Sequence, residues 1–186
     1  MWVQAPSQLC GIHNLSNTCY MNSLFNQLFM NVDFRNFMFG VQVKDPQGSQ
    51  SLLHRLQNLF GHLQLGNDRA ALPHELSQAI IDFEGKPINI HVQMDVDEFF
   101  NLLFDRIESQ LRDSHQQSRF RRLYGGVLCH TIKSSECSHL SSREEDFAAI
   151  QCDVRGKGTL EESLASYVQG EIMDGGSSYC FHIDVR

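Results

Sequence analysis

Hydrophobic periodicity changes partway along this chain, and that change limits the folds open to it. Over the first 115 residues, apolar side chains recur every three or four positions, the spacing of amphipathic helices. After Ser114, two alternating segments separated by a serine-rich stretch predict paired strands. The sequence therefore predicts an α+β protein, with a helical part over residues 1–115 and a β-rich part over residues 116–186.

The same pattern predicts the individual elements. Helices are predicted after a cap at Asn17-Thr18, over residues 52–63 with Gly66-Asn67 ending the helix, over residues 73–83, over about residues 93–112, and after a capping box at Thr159. Strands are predicted over residues 125–132, 145–154 and 179–185. Residues 44–50 are predicted to form a loop and residues 174–178 a turn, because both are rich in turn-forming residues.

Composition limits the partners and the compartment. With 186 residues, 41% hydrophobic and 20% charged, the chain suits one globular domain or part of a larger one. The net charge of −7 argues against nucleic acid as a partner and suits a basic protein surface. No apolar run approaches the roughly 20 residues of a membrane span, and the first residues do not predict a secretory signal, because no basic segment is followed by an apolar core. Six scattered cysteines without a CxxC pair are expected to be free thiols, which predicts a cytosolic or nuclear location.

Cys19 is the leading candidate for a catalytic nucleophile. It follows a Ser-Asn-Thr turn and opens an apolar, helix-periodic run. Backbone N–H groups and the dipole at a helix N-terminus favour negative charge, so they stabilise a thiolate, the nucleophilic form of cysteine. The local sequence leaves a second interpretation open, in which Cys19 is a small buried apolar residue at a helix start.

Asn14 is the candidate oxyanion donor. It lies five residues before Cys19, on the loop that leads into the helix. Its side-chain NH₂ group can donate to an oxyanion developing on a substrate carbonyl, beside the backbone N–H of Cys19. Asn17 and Thr18 are explained more simply as turn and cap residues.

The residues around Cys19 form a long motif. Residues 11–23 read Gly-Ile-His-Asn-Leu-Ser-Asn-Thr-Cys-Tyr-Met-Asn-Ser. This resembles the cysteine box of the ubiquitin-specific protease family, Gly-Leu-x-Asn-Leu-Gly-Asn-Thr-Cys-Tyr-Met-Asn-Ser. Ser16 departs clearly from the family's usual Gly, and Ile12 departs trivially. A motif of this length around a cysteine is highly specific.

Two further segments follow in the order of the family. Residues 93–99, Gln-Met-Asp-Val-Asp-Glu-Phe, are similar to the family's Gln-Gln-Asp-Ala-x-Glu-Phe, with Met94 and Val96 as departures. Tyr124-Gly-Gly, followed by strand, serine-rich loop, strand and helix, resembles the start of the family's fingers region. Together the matches cover most of residues 10–180.

The resemblance implies a papain-like cysteine protease fold with a helical thumb and the start of β fingers. It implies a deubiquitinating thiol protease that cleaves after the C-terminal Gly of ubiquitin, with ubiquitin and ubiquitinated proteins as partners. Carried over by position, Cys19 is the nucleophile, Asn14 is the oxyanion donor, and Gln93 and Asp95 contact the ubiquitin tail. A carboxylate at the mouth of a cleft can pair with an Arg of that basic tail.

A simpler interpretation exists for the acidic segment. Gln93 and Asp95 can belong to a polar first helical turn that complements the helix dipole, and this is the main interpretation for Asp97 and Glu98.

The general base is missing from these residues. The family carries its catalytic His, with an Asp or Asn to orient it, in a downstream box containing Gly-His-Tyr. None of the nine histidines here has that context, and His13 occupies a variable position of the cysteine box. We therefore expect the N-terminal half of a catalytic domain, without the palm and inactive alone. The alternative is a non-catalytic relative that binds ubiquitin.

No cofactor is predicted, and a structural zinc is not expected. Many relatives carry two CxxC pairs in the fingers, which form a tetrahedral site. Here the corresponding places offer Cys137 and the pair Cys180 and His182, with no fourth ligand beside them.

Overall fold

The computed structural model describes residues 10–43, 51–134, 138–173 and 179–185, with the strands at 171–173 and 179–185 described through their backbone. The chain divides into two compact units, Met1–Phe120 and Arg121–Arg186. Helices and small sheets occur together, in agreement with the α+β prediction. The loop predicted at residues 44–50 and the turn predicted at residues 174–178 lie outside the described residues.

The first unit is built mainly of helices. They are α1 (Cys19–Met30), α2 (Val32–Gly40), α3 (Leu52–Leu65), α4 (His74–Ala79), α5 (Val96–Gln110) and α6 (Ser114–Tyr124), which continues past Phe120. Two short strands, β1 (Gly11–Ile12) and β2 (Ala70–Ala71), pair in parallel with Gly11 opposite Ala70. This pair holds the chain that leads to α1 against the residues that follow α3.

Aromatic packing anchors α1 on α5. Tyr20 meets the ring of Phe99 edge-on, with 5.1 Å between centroids, and Phe25 meets the same ring at 6.0 Å. Phe25 and Phe99 are fully buried. Such ring pairs contribute about 0.5–1.5 kcal/mol each beyond the area they bury. The helix that begins at Cys19 therefore rests on a rigid base.

Helix α5 begins later than its sequence predicts. Its first residue is Val96, whereas periodicity places the start near Gln93. The reason is a cap, because Oδ1 of Asp95 accepts from the N–H groups of Asp97 at 2.8 Å and Glu98 at 3.3 Å. Residues 93–95 consequently lie in front of the helix, and the backbone of Asp95 is extended.

The helix predicted over residues 73–83 is also shorter than expected. It ends at Ala79, and the chain then turns back through a bridge between Ile81 and Pro87. Gly85 has a φ of +82° at this turn, a conformation that side-chain-bearing residues rarely adopt. The sequence predicted a longer helix because Ile80, which follows the helix, is buried and continues the spacing of apolar residues.

Helices α2 and α6 have no counterpart in the sequence prediction. Asn31 alone separates α2 from α1, and its side chain caps α2. In α6 the buried residue is Phe120 and most other positions are polar or basic, so few apolar side chains mark this helix in the sequence. The Asp113 carboxylate stabilises its start by accepting from the N–H of His115 at 3.0 Å.

The second unit contains an antiparallel sheet. Its strands β3 (Gly126–Ser134), β4 (Leu140–Phe147), β5 (Glu171–Met173) and β6 (Tyr179–Val185) lie in the order β4-β3-β6-β5. The predicted strand pair is present, and β6 matches its predicted range. The strand predicted at residues 145–154 instead spans residues 140–147, because the register pairs Lys133 with Leu140 and Gly126 with Phe147.

Helix α7 (Leu160–Tyr167) follows the predicted capping box. Oγ1 of Thr159 accepts from the N–H of Glu162 at 3.2 Å. The returning bond differs from the usual box, because the Glu162 carboxylate accepts from the N–H of Gly158 at 2.7 Å.

Candidate active site

Cys19 is the first residue of α1, and its side chain is exposed. Exposure rules out the interpretation of Cys19 as a buried apolar residue. Thr18 is the N-cap residue, yet its side chain makes no capping bond to the helix. Within the described ranges, the Cys19 N–H donates no hydrogen bond. The positive end of α1 is therefore open beside the thiol.

Thr18 serves the preceding loop instead of the helix. Its side chain is fully buried, and its hydroxyl accepts from the N–H of Leu15 at 3.1 Å. The same hydroxyl donates to Oδ1 of Asn14 at 2.7 Å, and the Thr18 N–H donates to that oxygen at 3.2 Å. Two donors thus hold the carbonyl end of the Asn14 amide.

This arrangement sets the orientation of Asn14. Because Thr18 occupies its Oδ1, the Nδ2 group of Asn14 faces away from Thr18. No acceptor in the part of the chain that the structure describes engages Nδ2, and the residue is exposed. Asn14 therefore presents a free amide donor on the same loop as the open N–H of Cys19.

The cysteine loop is joined to the segment that precedes α5. The Asn17 N–H donates to the carbonyl of Ile90 at 2.9 Å, and the Asn17 side chain donates to the carbonyl of His91 at 2.7 Å. Nδ1 of His91 lies 3.2 Å from the Ser16 hydroxyl. Sequence reasoning missed His91 as a site residue. The available signals were its place two residues before Gln93 and the unusual Ser16.

Gln93 and Asp95 follow this junction directly. Both are exposed. The cap formed by Asp95 gives it the structural role that the sequence left open as an alternative. That cap uses Oδ1, so the second carboxylate oxygen has no bond in the described residues. Contact of Gln93 and Asp95 with a ubiquitin tail stays a prediction.

Asn22 and Tyr20 of α1 have different roles, because the Asn22 side chain bonds to the cysteine loop and the Tyr20 side chain packs on Phe99. Nδ2 of Asn22 donates to the carbonyl of His13 at 3.3 Å, and Oδ1 of Asn22 is buried without a partner in the described chain. Burial raises the pKa of the Tyr20 phenol, and the charge of the adjacent Cys19 raises it further. Tyr20 therefore stays protonated at neutral pH and serves as packing.

Among the described residues, the site contains a thiol and hydrogen-bond donors for an oxyanion, but no His side chain bonded to the thiol as a general base. His13 contributes its backbone, since its N–H donates to the carbonyl of Ala71 at 2.9 Å. Across the described ranges, no imidazole is hydrogen-bonded to the sulfur of Cys19. The catalytic His stays a prediction for sequence beyond these residues.

The described residues form no metal site, because no three of their His, Cys, Asp or Glu side chains converge as metal ligands do. Cys137 lies outside the described residues, and the side chains of Cys180 and His182 are not described. The expected absence of a structural zinc therefore stays a prediction.

No described helix combines the length and apolar character needed to cross a bilayer.

An exposed thiol on an open helix N-terminus, with an oriented amide donor on the loop that leads into that helix, suits acyl transfer by a cysteine-dependent hydrolase. The family profile described as Ubiquitin carboxyl-terminal hydrolase matches residues 10–172. The chain belongs to this family, which confirms the resemblance seen in its motifs.

Several curated relatives match over nearly the whole chain. Ubiquitin carboxyl-terminal hydrolase 5 of Schizosaccharomyces pombe is 32% identical over 91% of this chain. Ubiquitin carboxyl-terminal hydrolase 47 of Drosophila melanogaster is 29% identical over 94%, and ubiquitin carboxyl-terminal hydrolase 24 of Mus musculus is 28% identical over 95%. The chain spans 15%, 11% and 7% of the lengths of these relatives, respectively.

Proposed function

We propose that this chain is the nucleophile-bearing part of a papain-like deubiquitinating protease, which cleaves after the C-terminal Gly of ubiquitin. The observation that carries the proposal is the pairing of the exposed Cys19, on an uncapped helix N-terminus, with the oriented amide of Asn14. Family membership and the hydrolase names of the relatives support the same chemistry.

The proposed reaction begins with attack by the thiolate of Cys19 on the carbonyl carbon of the ubiquitin C-terminal Gly. The carbonyl π electrons move to oxygen, and the oxyanion accepts from the Cys19 N–H and from Nδ2 of Asn14. The C–N bond then breaks, and the leaving amine takes a proton. Water hydrolyses the resulting thioester and restores the thiol.

The proton transfers require an imidazole that these residues do not bring to Cys19. We propose that the general base comes from sequence beyond the 186 residues, since the chain covers a small part of each relative. The chain alone is expected to show no turnover. Measurable Cys19-dependent hydrolysis of a ubiquitin-amide reporter by this chain would contradict that expectation.

We further propose that Gln93 and Asp95 bind the ubiquitin tail. They follow the junction with the cysteine loop, are exposed, and precede the first residue of α5. The second oxygen of the Asp95 carboxylate is available to pair with an Arg of the basic tail. The proposed partners are ubiquitin and ubiquitinated proteins, in the cytosol or the nucleus.

Ubiquitin carrying a C-terminal vinyl sulfone tests the proposal. Applied to the full-length protein that contains these residues, it is expected to form one adduct, located by mass spectrometry on Cys19. Cys19→Ala is expected to abolish the adduct. Cys152→Ser is the matched control, because Cys152 is a partly exposed free thiol in the other unit.

Two outcomes would contradict the proposal. One is an adduct that survives in Cys19→Ala. The other is a protein that binds ubiquitin without labelling, which would favour the non-catalytic alternative.

A further inference from the structure

Ser16 and His91 form a contact that the family's usual cysteine box cannot make. Nδ1 of His91 lies 3.2 Å from Oγ of Ser16, and the two residues are 75 positions apart in the sequence. The family pattern has Gly at the position of Ser16, and Gly has no side chain to offer. A serine hydroxyl can donate or accept, so the contact is a hydrogen bond with either neutral tautomer of the imidazole.

The backbone around His91 is already fixed by other bonds. Its N–H donates to Oδ1 of Asn89 at 3.0 Å, and the N–H of Val92 donates to the Asn89 carbonyl at 3.1 Å. Asn17 binds the carbonyls of Ile90 and His91 from the cysteine loop. The bond to Ser16 therefore adds a side-chain tie to a turn that the backbone has shaped.

This tie joins the two halves of the proposed site. On one side, Asn14 is two residues before Ser16 and Cys19 is three residues after it. On the other side, Gln93 is two residues after His91. Movement of the His91 turn therefore changes the distance between the proposed tail-binding residues and the thiol.

We propose that Ser16 and His91 are positioning residues, which hold the segment of Gln93 and Asp95 in register with Cys19 for the ubiquitin tail. The inference rests on the proposed deubiquitinating function. In this proposal the Ser16–His91 bond affects binding of the tail, whereas the helix N-terminus and Asn14 govern the reaction at the thiol. One exposed hydrogen bond of this kind is expected to change tail affinity about three- to tenfold.

The test uses the ubiquitin vinyl sulfone probe on the full-length protein, with labelling rates measured over a range of probe concentrations. Ser16→Ala removes the hydroxyl, and Ser16→Thr retains it. Ser109→Ala is the matched control, because the bond that the exposed Ser109 hydroxyl makes to the described residues lies within its own helix, to the carbonyl of Arg106. Iodoacetamide labelling of Cys19 reports thiol reactivity without any ubiquitin contact.

The expected result is specific to binding. Ser16→Ala raises the half-saturating probe concentration about three- to tenfold, with an unchanged limiting rate and an unchanged iodoacetamide rate. Ser16→Thr restores the wild-type value, and Ser109→Ala keeps it. An unchanged half-saturating concentration in Ser16→Ala would overturn the inference, as would an effect confined to the limiting rate or to iodoacetamide.

A second pair of variants keeps the test decisive if Ser16→Ala folds poorly. His91→Asn places an amide near the position of Nδ1 and is expected to label like the wild type, whereas His91→Ala is expected to behave like Ser16→Ala. Equal labelling by these two variants would overturn the inference. A wild-type protein that fails to label at Cys19 is a distinct result, because it refutes the proposed function and the inference with it.

Discussion

The two compact units differ in how they bury their side chains. The first unit carries a dense aromatic core, with Phe25 and Phe99 fully buried beneath the start of α1. Among the described side chains of the second unit, the buried apolar ones are Leu128 and Cys129, and β4 is exposed along its length apart from Phe147. Every described candidate site residue belongs to the first unit. The comparison indicates that a packed helical core fixes the site, whereas the side chains of β4 are mostly exposed to solvent.

The largest predicted effect comes from removing the core beneath Cys19. Phe99→Ala deletes the ring that contacts both Tyr20 and Phe25. We expect the free energy of unfolding to fall by about 3–5 kcal/mol, measured by urea denaturation. The control in the second unit is Leu140→Ala, where the side chain is 61% exposed, with an expected change within about 0.5 kcal/mol. Equal losses in the two variants would show that the aromatic core of the first unit contributes no more stability than the exposed strand β4.

A smaller effect is predicted for the buried hydroxyl that orients Asn14. Thr18→Val preserves the shape of the side chain and leaves the N–H of Leu15 and Oδ1 of Asn14 without that partner. The expected loss is about 1–3 kcal/mol in the same denaturation experiment, and Thr18→Ser is expected to recover most of it.

The variant of the second unit to compare with Thr18→Val is Ser163→Ala. Ser163 is also buried, but its hydroxyl makes a single 3.3 Å bond to the carbonyl of Thr159. We expect a loss below about 1 kcal/mol for this variant. A larger loss for Ser163→Ala than for Thr18→Val would show that buried polar contacts do not distinguish the two units.

The smallest effect separates the two roles of Asp95. Asp95→Ala removes the cap of α5 and is expected to cost about 1 kcal/mol, and Thr159→Ala at the cap of α7 is expected to cost a similar amount. Asp95→Asn retains a good capping side chain and removes the charge. It should therefore keep its stability and weaken ubiquitin binding, measured by calorimetry. Full ubiquitin affinity in Asp95→Asn would leave Asp95 with the capping role alone.

Local sequence predicted the features that depend on neighbouring residues. The start of α1 at Cys19, the end of α3 before Gly66 and the cap at Thr159 all appear where the pattern placed them. Each of these boundaries is set within a few residues by turn or capping chemistry. The family, too, was identified from contiguous motifs.

Features that depend on distant residues could not be predicted in this way. The contact of Ser16 with His91 joins residues 75 positions apart, and only the fold brings them together. The orientation of Asn14 depends on the hydroxyl of Thr18, which the sequence suggested as a helix cap. Helix α6 was missed because it is mostly polar and basic and buries Phe120 alone, so it contains too few apolar side chains for the sequence pattern to show.

In the proposed reaction, the amide of Asn14 donates to the oxyanion formed at Cys19. Asn14→Asp tests it most directly, because an aspartate oxygen can still accept from Thr18 while the NH₂ donor is gone. We would measure kcat for hydrolysis of a ubiquitin-amide reporter by the full-length protein. We expect kcat to fall about 10²–10³-fold with little change in KM. An unchanged kcat would show that Asn14 is not the oxyanion donor.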